Sequence, residues 1–233
     1  IDYIVVKVPR WPFDKFKNAD RTLTTAMKST GEVMAIGRTV EEAFKKAIRS
    51  LDTDIDHHTS PSEIRMILSR PTDERFGTLF DAFKAGFSLE EIQGLTHIAP
   101  FFLEKVRNIV DMESRLADCP GPDDIRSAKG YGFTTTEICE LTGMGPGEID
   151  AICGDPSYKM VDTCAAEFPA QTPYFYSTWD QECEIPASDR PKVLILGSGP
   201  IRIGQGIEFD YCTVHAVKAL REEEVEVHIV NNN

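Results

Sequence analysis

The chain has 233 residues and a mass of 26.0 kDa, enough for one large domain or two ordinary ones. A chain of this size buries roughly 70% of its unfolded surface without help from disulfides or metals, and 41% hydrophobic with 27% charged residues excludes a wholly disordered or collagen-like polymer. Lys and Arg number 25 against 38 Asp and Glu, for a net charge of −13 and a pI near 4.8, so nucleic acid and anionic membrane are not expected partners.

The first 37 residues predict strand and turn. Tyr3 to Val8 is rich in β-branched side chains and stops at Pro9, and Glu32 to Ile36 is a second apolar run between Gly31 and Gly37. The period then changes. Val40, Ala43, Phe44, Ala47, Ile48 and Leu51 recur at helical spacing behind a capping box, Thr39-x-x-Glu42. The helical pattern continues to about residue 154. Ser60-Pro61-x-Glu63 places an N-cap, a proline at N1 and an acid at N3. Leu79, Phe80, Phe83 and Phe87 form one apolar stripe, and Ile98, Phe102, Val106, Ile109 and Leu116 form a longer one closed by Pro120-Gly121-Pro122; both predict core. His57 and His58 fall in a polar stretch and are expected in solvent, while His97, His215 and His228 are isolated.

A repeat lies inside the helical region. Gly86-Phe87-Ser88-x-x-Glu91-Ile92-x-x-Leu95-Thr96 returns 46 positions later as Gly132-Phe133-Thr134-x-x-Glu137-Ile138-x-x-Leu141-Thr142. Glycine ends one helix in a left-handed conformation, Ser or Thr caps the next, Glu at N3 closes the capping box, and Phe at N′ staples onto Ile at N4. Two copies predict a duplicated helix–turn–helix unit within one helical domain. A DNA-reading unit is disfavoured because Glu90, Glu91, Glu137, Glu140, Glu148 and Asp150 place acid where a recognition helix needs base.

Residues 155 to 190 return to strand character, with Met160 to Phe168 and Tyr174 to Trp179 flanking an irregular hairpin or crossover at Pro169 to Pro173. Glu182 to Pro191 is the best linker. Lys192 to Leu196 then reads as a buried strand, Gly197-Ser198-Gly199-Pro200-Ile201-Arg202-Ile203-Gly204-Gln205-Gly206 as a glycine-rich loop, Glu208 to Arg221 as a helix, and Val225 to Val230 as a second strand. That order opens a doubly wound sheet. Gly197 and Gly199 fit a dinucleotide fingerprint, but Arg202 stands where the third glycine belongs, and Asn231 stands where an acid would hold the ribose. Arg202 projects a guanidinium suited to carboxylate or phosphate, and Glu208 suits a helix N-terminus. No nucleophile–base pair and no H-E-x-x-H occurs, so the residues alone show no complete active site. Two readings stay open beside the one below: an NAD(P)-binding oxidoreductase and a non-enzymatic helical adaptor.

Cys119, Cys139, Cys153, Cys164, Cys183 and Cys212 are scattered without a C-x-x-C pair, as expected of reduced thiols in a cytoplasmic protein. No run approaches the ~20 apolar residues that span a bilayer. The chain opens on Ile1 and stops just after an apolar run, and the expectation is a piece of a longer polypeptide.

Three stretches carry a resemblance. The run from Gly197 to Asn233, GSGPIRIGQGIEFDYCTVHAVKALREEEVEVHIVNNN, resembles the start of the carbamoyl-phosphate half of the carbamoyl-phosphate synthetase large chain. IDYIVVKVPRWPFDKF with RTLTTAMKSTGEVMAIGRT is similar to the end of its carboxyphosphate half, and YKMVDTCAAEFPAQTPYFYST to the segment that joins its helical oligomerisation domain to the second half. The resemblance implies α/β flanks around an all-α middle. Residues 1–38 would end one ATP-grasp unit, 39–190 would be the oligomerisation domain with its connecting strand segment (155–190), and 191–233 would start the next half. It further implies an ATP-dependent ligase that uses two ATP, bicarbonate and glutamine-derived ammonia, with Mg²⁺ or Mn²⁺ and K⁺ bound outside these residues. A glutaminase subunit or domain and self-association through the helical domain are the implied partners. Arg202, Gly206 and Glu208 are the implied wall of a carbamate tunnel, carried on the loop of Gly197, Gly199 and Gly204.

Overall fold

A computed structural model of the protein describes residues 2–51, 57–164, 167–168, 171–180, 182–197 and 208–230. Strands β1 (Ile4–Arg10) and β2 (Gly31–Gly37) pair antiparallel, with Val6 opposite Ala35 and Val8 opposite Val33. Their alternating pattern leaves Val6, Val8, Val33 and Ala35 on one face, packed with Ala47 and Leu51 of helix α1 (Val40–Ser50) and its C-cap. Gly37 makes that junction possible: a Cβ there would sit 2.9 Å from Glu42 Oε2 and 3.0 Å from the Ala43 nitrogen. Thr39 caps α1 by accepting from the Glu42 N–H, as expected, but the capping box is only half formed. The Glu42 carboxylate accepts from the Arg38 N–H instead of that of Thr39, because it is drawn into a buried polar cluster.

Seven helices follow: α2 (Pro61–Leu68), α3 (Arg75–Lys84), α4 (Leu89–Thr96), α5 (Pro100–Ala117), α6 (Pro122–Gly130), α7 (Thr135–Thr142) and α8 (Pro146–Cys153). Proline at the first helical position starts α2, α5, α6 and α8, where its missing N–H costs nothing. The long helix α5 is central. Leu103, Val106, Ile109, Met112 and Leu116 are sealed among Ile64, Leu68, Ile92, Ile125, Ile138 and Ile149 from its neighbours. Each such aliphatic contributes about 1.5–3 kcal/mol on burial.

Three expectations are corrected here. Phe102 is expected in the α5 stripe, yet it is 49% exposed, because the first turn of the buried face is supplied by Leu103, one residue on, which leads into Val106 and Ile109. Ser60 stands at the N-cap of α2 without a side-chain cap; its hydroxyl lies 2.9 Å from that of Ser62. His58 is not in solvent. Its side chain is largely covered, 3.4 Å from Glu63, while its backbone N–H donates to buried Asp81, which also meets His57 Nδ1 at 2.9 Å.

The repeat is real and longer than its sequence motif. Gly86 and Gly132 have φ +83° and +86°, and the N–H groups that follow them, on Phe87 and Phe133, return to Ala82 O and Ala128 O. Ser88 and Thr134 cap α4 and α7 by accepting from the Glu91 and Glu137 N–H groups. Ile92 and Ile138 are completely buried. Thr96 and Thr142 bond back to Ile92 O and Ile138 O, and the left-handed C-caps are His97 and Gly143. The unit is therefore three helices, α3–α4–α5 and again α6–α7–α8.

Strands β3 (Ser157–Met160) and β4 (Phe175–Thr178) form an antiparallel hairpin, Ser157 opposite Thr178. The first strand ends where composition would start it. The pairing side chains Ser157 and Lys159 are polar but buried, against Thr178, Glu184 and Asp180. Beyond 182 the predicted linker holds no helix or strand until β5, though Glu184 still bonds Tyr158 O and the Met160 N–H. Strands β5 (Lys192–Leu196) and β6 (Glu226–Val230) are parallel, joined through α9 (Glu208–Glu222). This is the expected β–α–β order.

Candidate functional site

Helix α1 presents two acids in its first turn, where the helix dipole alone would favour them. Both are buried instead, and they face different neighbours. Glu41 accepts from Asn108 Nδ2 at 2.8 Å and pairs with Lys105 at 3.3 Å, which fastens α1 to α5. Glu42, 1% exposed, accepts from the Arg38 N–H at 2.7 Å and from the Thr178 hydroxyl at 3.1 Å. Lys46, one turn on, brings its ammonium to 2.8 Å from Glu42 Oε1, an ion pair without hydrogen-bond alignment. The same ammonium donates to Ile36 O on β2 and Ser177 O on β4. Burial pushes the Lys46 ammonium below its usual range, against the pull of Glu42. Arg38 completes the cluster, 3.3 Å from Asp180. One group of charges centred on the buried Glu42 carboxylate thus joins the sheet β1–β2, helix α1 and the hairpin β3–β4.

The second repeat docks onto α1 beside this cluster, through Lys45 and Arg49. Lys45 Nζ lies 3.9 Å from the centre of the Phe133 ring and 2.6 Å from Glu137 Oε1. In the first repeat Arg65 of α2 takes the same position, 4.7 Å over Phe87 and 2.9 Å from Glu91. A cation from an earlier helix therefore covers the staple ring and pairs with the acid at N3 in both copies, although that acid closes the expected capping box only at Glu137, which accepts from the Thr134 N–H. Arg49 also donates to Gly132 O at 3.1 Å, and Lys129 is buried under Trp179 at 4.7 Å.

Burial works to raise the Glu137 carboxyl, but the Lys45 ammonium and the Thr134 donors outweigh it and hold it below the usual carboxylate range. Since the folded value is depressed, this contribution is present above the unfolded value of about 4.3 and is lost as the pH falls through the folded value. Glu137→Gln is expected to lower stability at pH 7 and to cost progressively less as the pH falls through the depressed folded value. Urea titrations over a series of pH values from 7 into the acid range check this; a loss that does not change with pH would mean that packing rather than charge is at work.

The glycine-rich loop is mostly outside the described residues. Gly199, Arg202, Gly204 and Gly206 lie outside them, as does the side chain of Glu208. Gly197 is described: its N–H donates to Val230 O at 2.6 Å, which places this first glycine at the carboxyl ends of the parallel strands β5 and β6. Ligands of open α/β sheets bind at that end. A separate cleft of about 510 Å³ opens between β1, α1 and α3, lined by Trp11, Phe13, Phe44 and Phe76. Its Arg21 is bonded to Asp73 and Glu74 at 2.7 Å each. Among the described residues no three His, Cys, Asp or Glu side chains gather to hold a metal ion, no helix is long and apolar enough to cross a membrane, and the six cysteines are free thiols.

The α1 cluster has little sequence signal. Glu41-Glu42 reads as ordinary dipole complement, and Thr178 lies 136 positions away.

Residues 32–154 match the family described as the carbamoyl-phosphate synthetase large chain, oligomerisation domain, and residues 189–233 match the carbamoyl phosphate synthase preATP-grasp domain. The chain is similar to the carbamoyl phosphate synthase large chain of Methanoregula boonei, 75% identical over 233 residues, covering all of this chain and 22% of that protein. It is 72% identical over 234 residues to that of Methanoculleus marisnigri, again covering the whole chain and 22% of the relative. For Methanothrix thermoacetophila the identity is 58% over 244 residues, with 23% of the relative covered. The chain thus spans between a fifth and a quarter of the length of these relatives. These matches do not support the oxidoreductase reading.

Proposed function

Because the chain belongs to the carbamoyl-phosphate synthetase large-chain family, we propose that it is the central connecting segment of such a large chain. In this reading residues 1–38 close the half that forms carboxyphosphate and then carbamate, residues 39–190 are the oligomerisation domain with its connecting strands, and residues 191–233 open the half that phosphorylates carbamate. The observation that carries the reading is the cluster of Lys46, Arg38 and Thr178 around the buried Glu42 carboxylate, which ties the strands before the helices to the strands after them.

The parent would be a cytoplasmic ATP-dependent ligase that joins bicarbonate and ammonia at the expense of two ATP. Its ammonia would come from glutamine through a glutaminase partner. The chain alone would be inactive. ATP, Mg²⁺ or Mn²⁺ and K⁺ are assigned to the parent and to no residue here. Carbamate decomposes in water, so its transfer between halves needs an enclosed path. Arg202, Gly206 and Glu208 are proposed as part of its wall, at the strand ends reached through Gly197. At residue 206 any side chain would narrow the passage.

The test is Gly206→Leu in a full-length large chain with its glutaminase. Bicarbonate-dependent ATP hydrolysis is expected to persist while carbamoyl phosphate formation falls by on the order of a hundredfold or more, the scale of losing a correctly positioned reactant. Undiminished synthesis would remove the tunnel assignment.

A further inference from the structure

Arg38 stands where β2 ends and α1 begins, and it is the least covered member of the Glu42 cluster, with 41% of its side chain in solvent. Its guanidinium donates through Nη1 to Asp2 O and pairs through Nε with Asp180 Oδ2 at 3.3 Å. Asp2 stands before β1 and Asp180 after β4, so all of α1–α8 lie between them in the chain. The hydroxyl of buried Tyr176 faces the same guanidinium. The Tyr176 ring lies 6.0 Å from that of Tyr3, whose hydroxyl donates to Asp162 O at 2.7 Å. The strands before the helices therefore touch the strands after them. One arginine reaches both the residue that leads into the first pair and the residue that leads out of the second.

The members of the cluster differ in what they can do. Glu42 and Thr178 are buried and Lys46 is largely covered, so their loss threatens the fold itself. A guanidinium is planar, with its donors in a fixed fork, so acceptors gripped by it are held at a set angle as well as a set distance. A partly exposed ion pair adds little to stability. Arg38 is thus placed to set orientation at small cost to the fold. Orientation counts here because an angular error grows with distance from the joint. Misplacing a reacting group by about 1 Å can cost on the order of a hundredfold in rate.

We infer that Arg38 is a positioning residue for carbamate transfer: by gripping Asp2 and Asp180 together it sets the angle between the strands that close the carboxyphosphate half and the strands that lead into the carbamoyl-phosphate half. The inference rests on the connector reading given above. Arg38 acts through the strands and takes no part in the chemistry of either half. The first half spends one ATP on each carbamate and the second spends another to phosphorylate it, so a carbamate that escapes into water wastes the first.

The test uses a full-length large chain with its glutaminase and three measurements. Bicarbonate-dependent ATP hydrolysis reports the first half, ATP formation from ADP and carbamoyl phosphate reports the second, and ATP consumed per carbamoyl phosphate reports transfer. Arg38→Met is expected to leave both half reactions within about twofold of the parent. It is expected to raise the ATP consumed per product from about two to about three or more, the value when half of the carbamate is lost. Arg38→Lys keeps the charge without the fork and should fall between. Asp180→Asn should raise the ratio too, and the double variant Arg38→Met/Asp180→Asn should be no worse than Arg38→Met, because both break one contact. An unchanged ratio in Arg38→Met would overturn the inference. So would a parallel loss of both half reactions, which would mean that Arg38 only supports the fold. A parent that makes no carbamoyl phosphate would instead overturn the connector reading.

Discussion

Glu42→Leu is expected to cost about 3–5 kcal/mol, the range for breaking a buried ion pair by removing one partner. The substitution leaves the largely covered Lys46 ammonium to two carbonyl oxygens and the Tyr176 ring, and it strands the Arg38 N–H and the Thr178 hydroxyl. Domains of ordinary stability hold about 5–15 kcal/mol in all, so much of the reserve would go. Glu42→Gln keeps the shape and one acceptor oxygen, and it should fall between. Adding Lys46→Met to Glu42→Leu removes the orphaned charge and should recover part of the loss, giving a coupling energy above about 1 kcal/mol in a double-mutant cycle. Urea denaturation followed by circular dichroism measures all four. A loss below about 1 kcal/mol for Glu42→Leu would falsify the role given to the cluster.

The second large effect separates two glycines that the sequence makes equivalent. Both Gly86 and Gly132 hold a left-handed conformation, so alanine at either costs about 1–2 kcal/mol in backbone strain. Around Gly86 nothing lies within 4 Å of a new Cβ. At Gly132 the Cβ would meet Glu42 O and Lys45 Cβ at 3.1 Å and Glu42 Cα at 3.2 Å. Those are mostly backbone atoms of a helix already fixed through its buried acids, so α1 must shift. A further overpacking cost of about 1–3 kcal/mol is expected. Gly132→Ala should therefore lose clearly more than Gly86→Ala, measured side by side by urea titration. Equal losses would show that the approach of α1 to the second repeat contributes nothing.

Those glycines also show what can be read from sequence and what cannot. The repeat is legible because each member does a local job: a positive φ, an N-cap, an acid at N3, a ring at N′. Such work is done within one turn and leaves its mark at fixed spacing. The difference between the copies depends on which helix passes by, and no local pattern encodes that. The same holds for Thr39-x-x-Glu42, where the spacing correctly foretold the N-cap but not the carboxylate, which is claimed by Thr178 from far along the chain. Phe102 misled because an apolar residue near a stripe counts towards it, while burial depends on the helical phase set by Pro100 and Leu103. Strand β3 was misplaced because its inward residues, Ser157 and Lys159, are polar and satisfied by Thr178, Asp180 and Glu184. The β–α–β order was legible from its glycine loop and apolar strands. The residues of that loop proposed for carbamate passage were legible only through family resemblance, since they form no catalytic pattern among themselves.

The paired acids of α1 have a mechanical consequence. Consecutive helical positions point about 100° apart, and here each is gripped by a different body: Glu41 by α5, Glu42 by strand β4. A helix held by one side can roll like an axle and absorb a push on its neighbours as torsion. Held at two bearings, α1 cannot turn without pulling a carboxylate from its donors on one side or the other. Any rolling of α1 under the β1–β2 sheet therefore has to stretch the contact to Asn108 or the contact to Thr178.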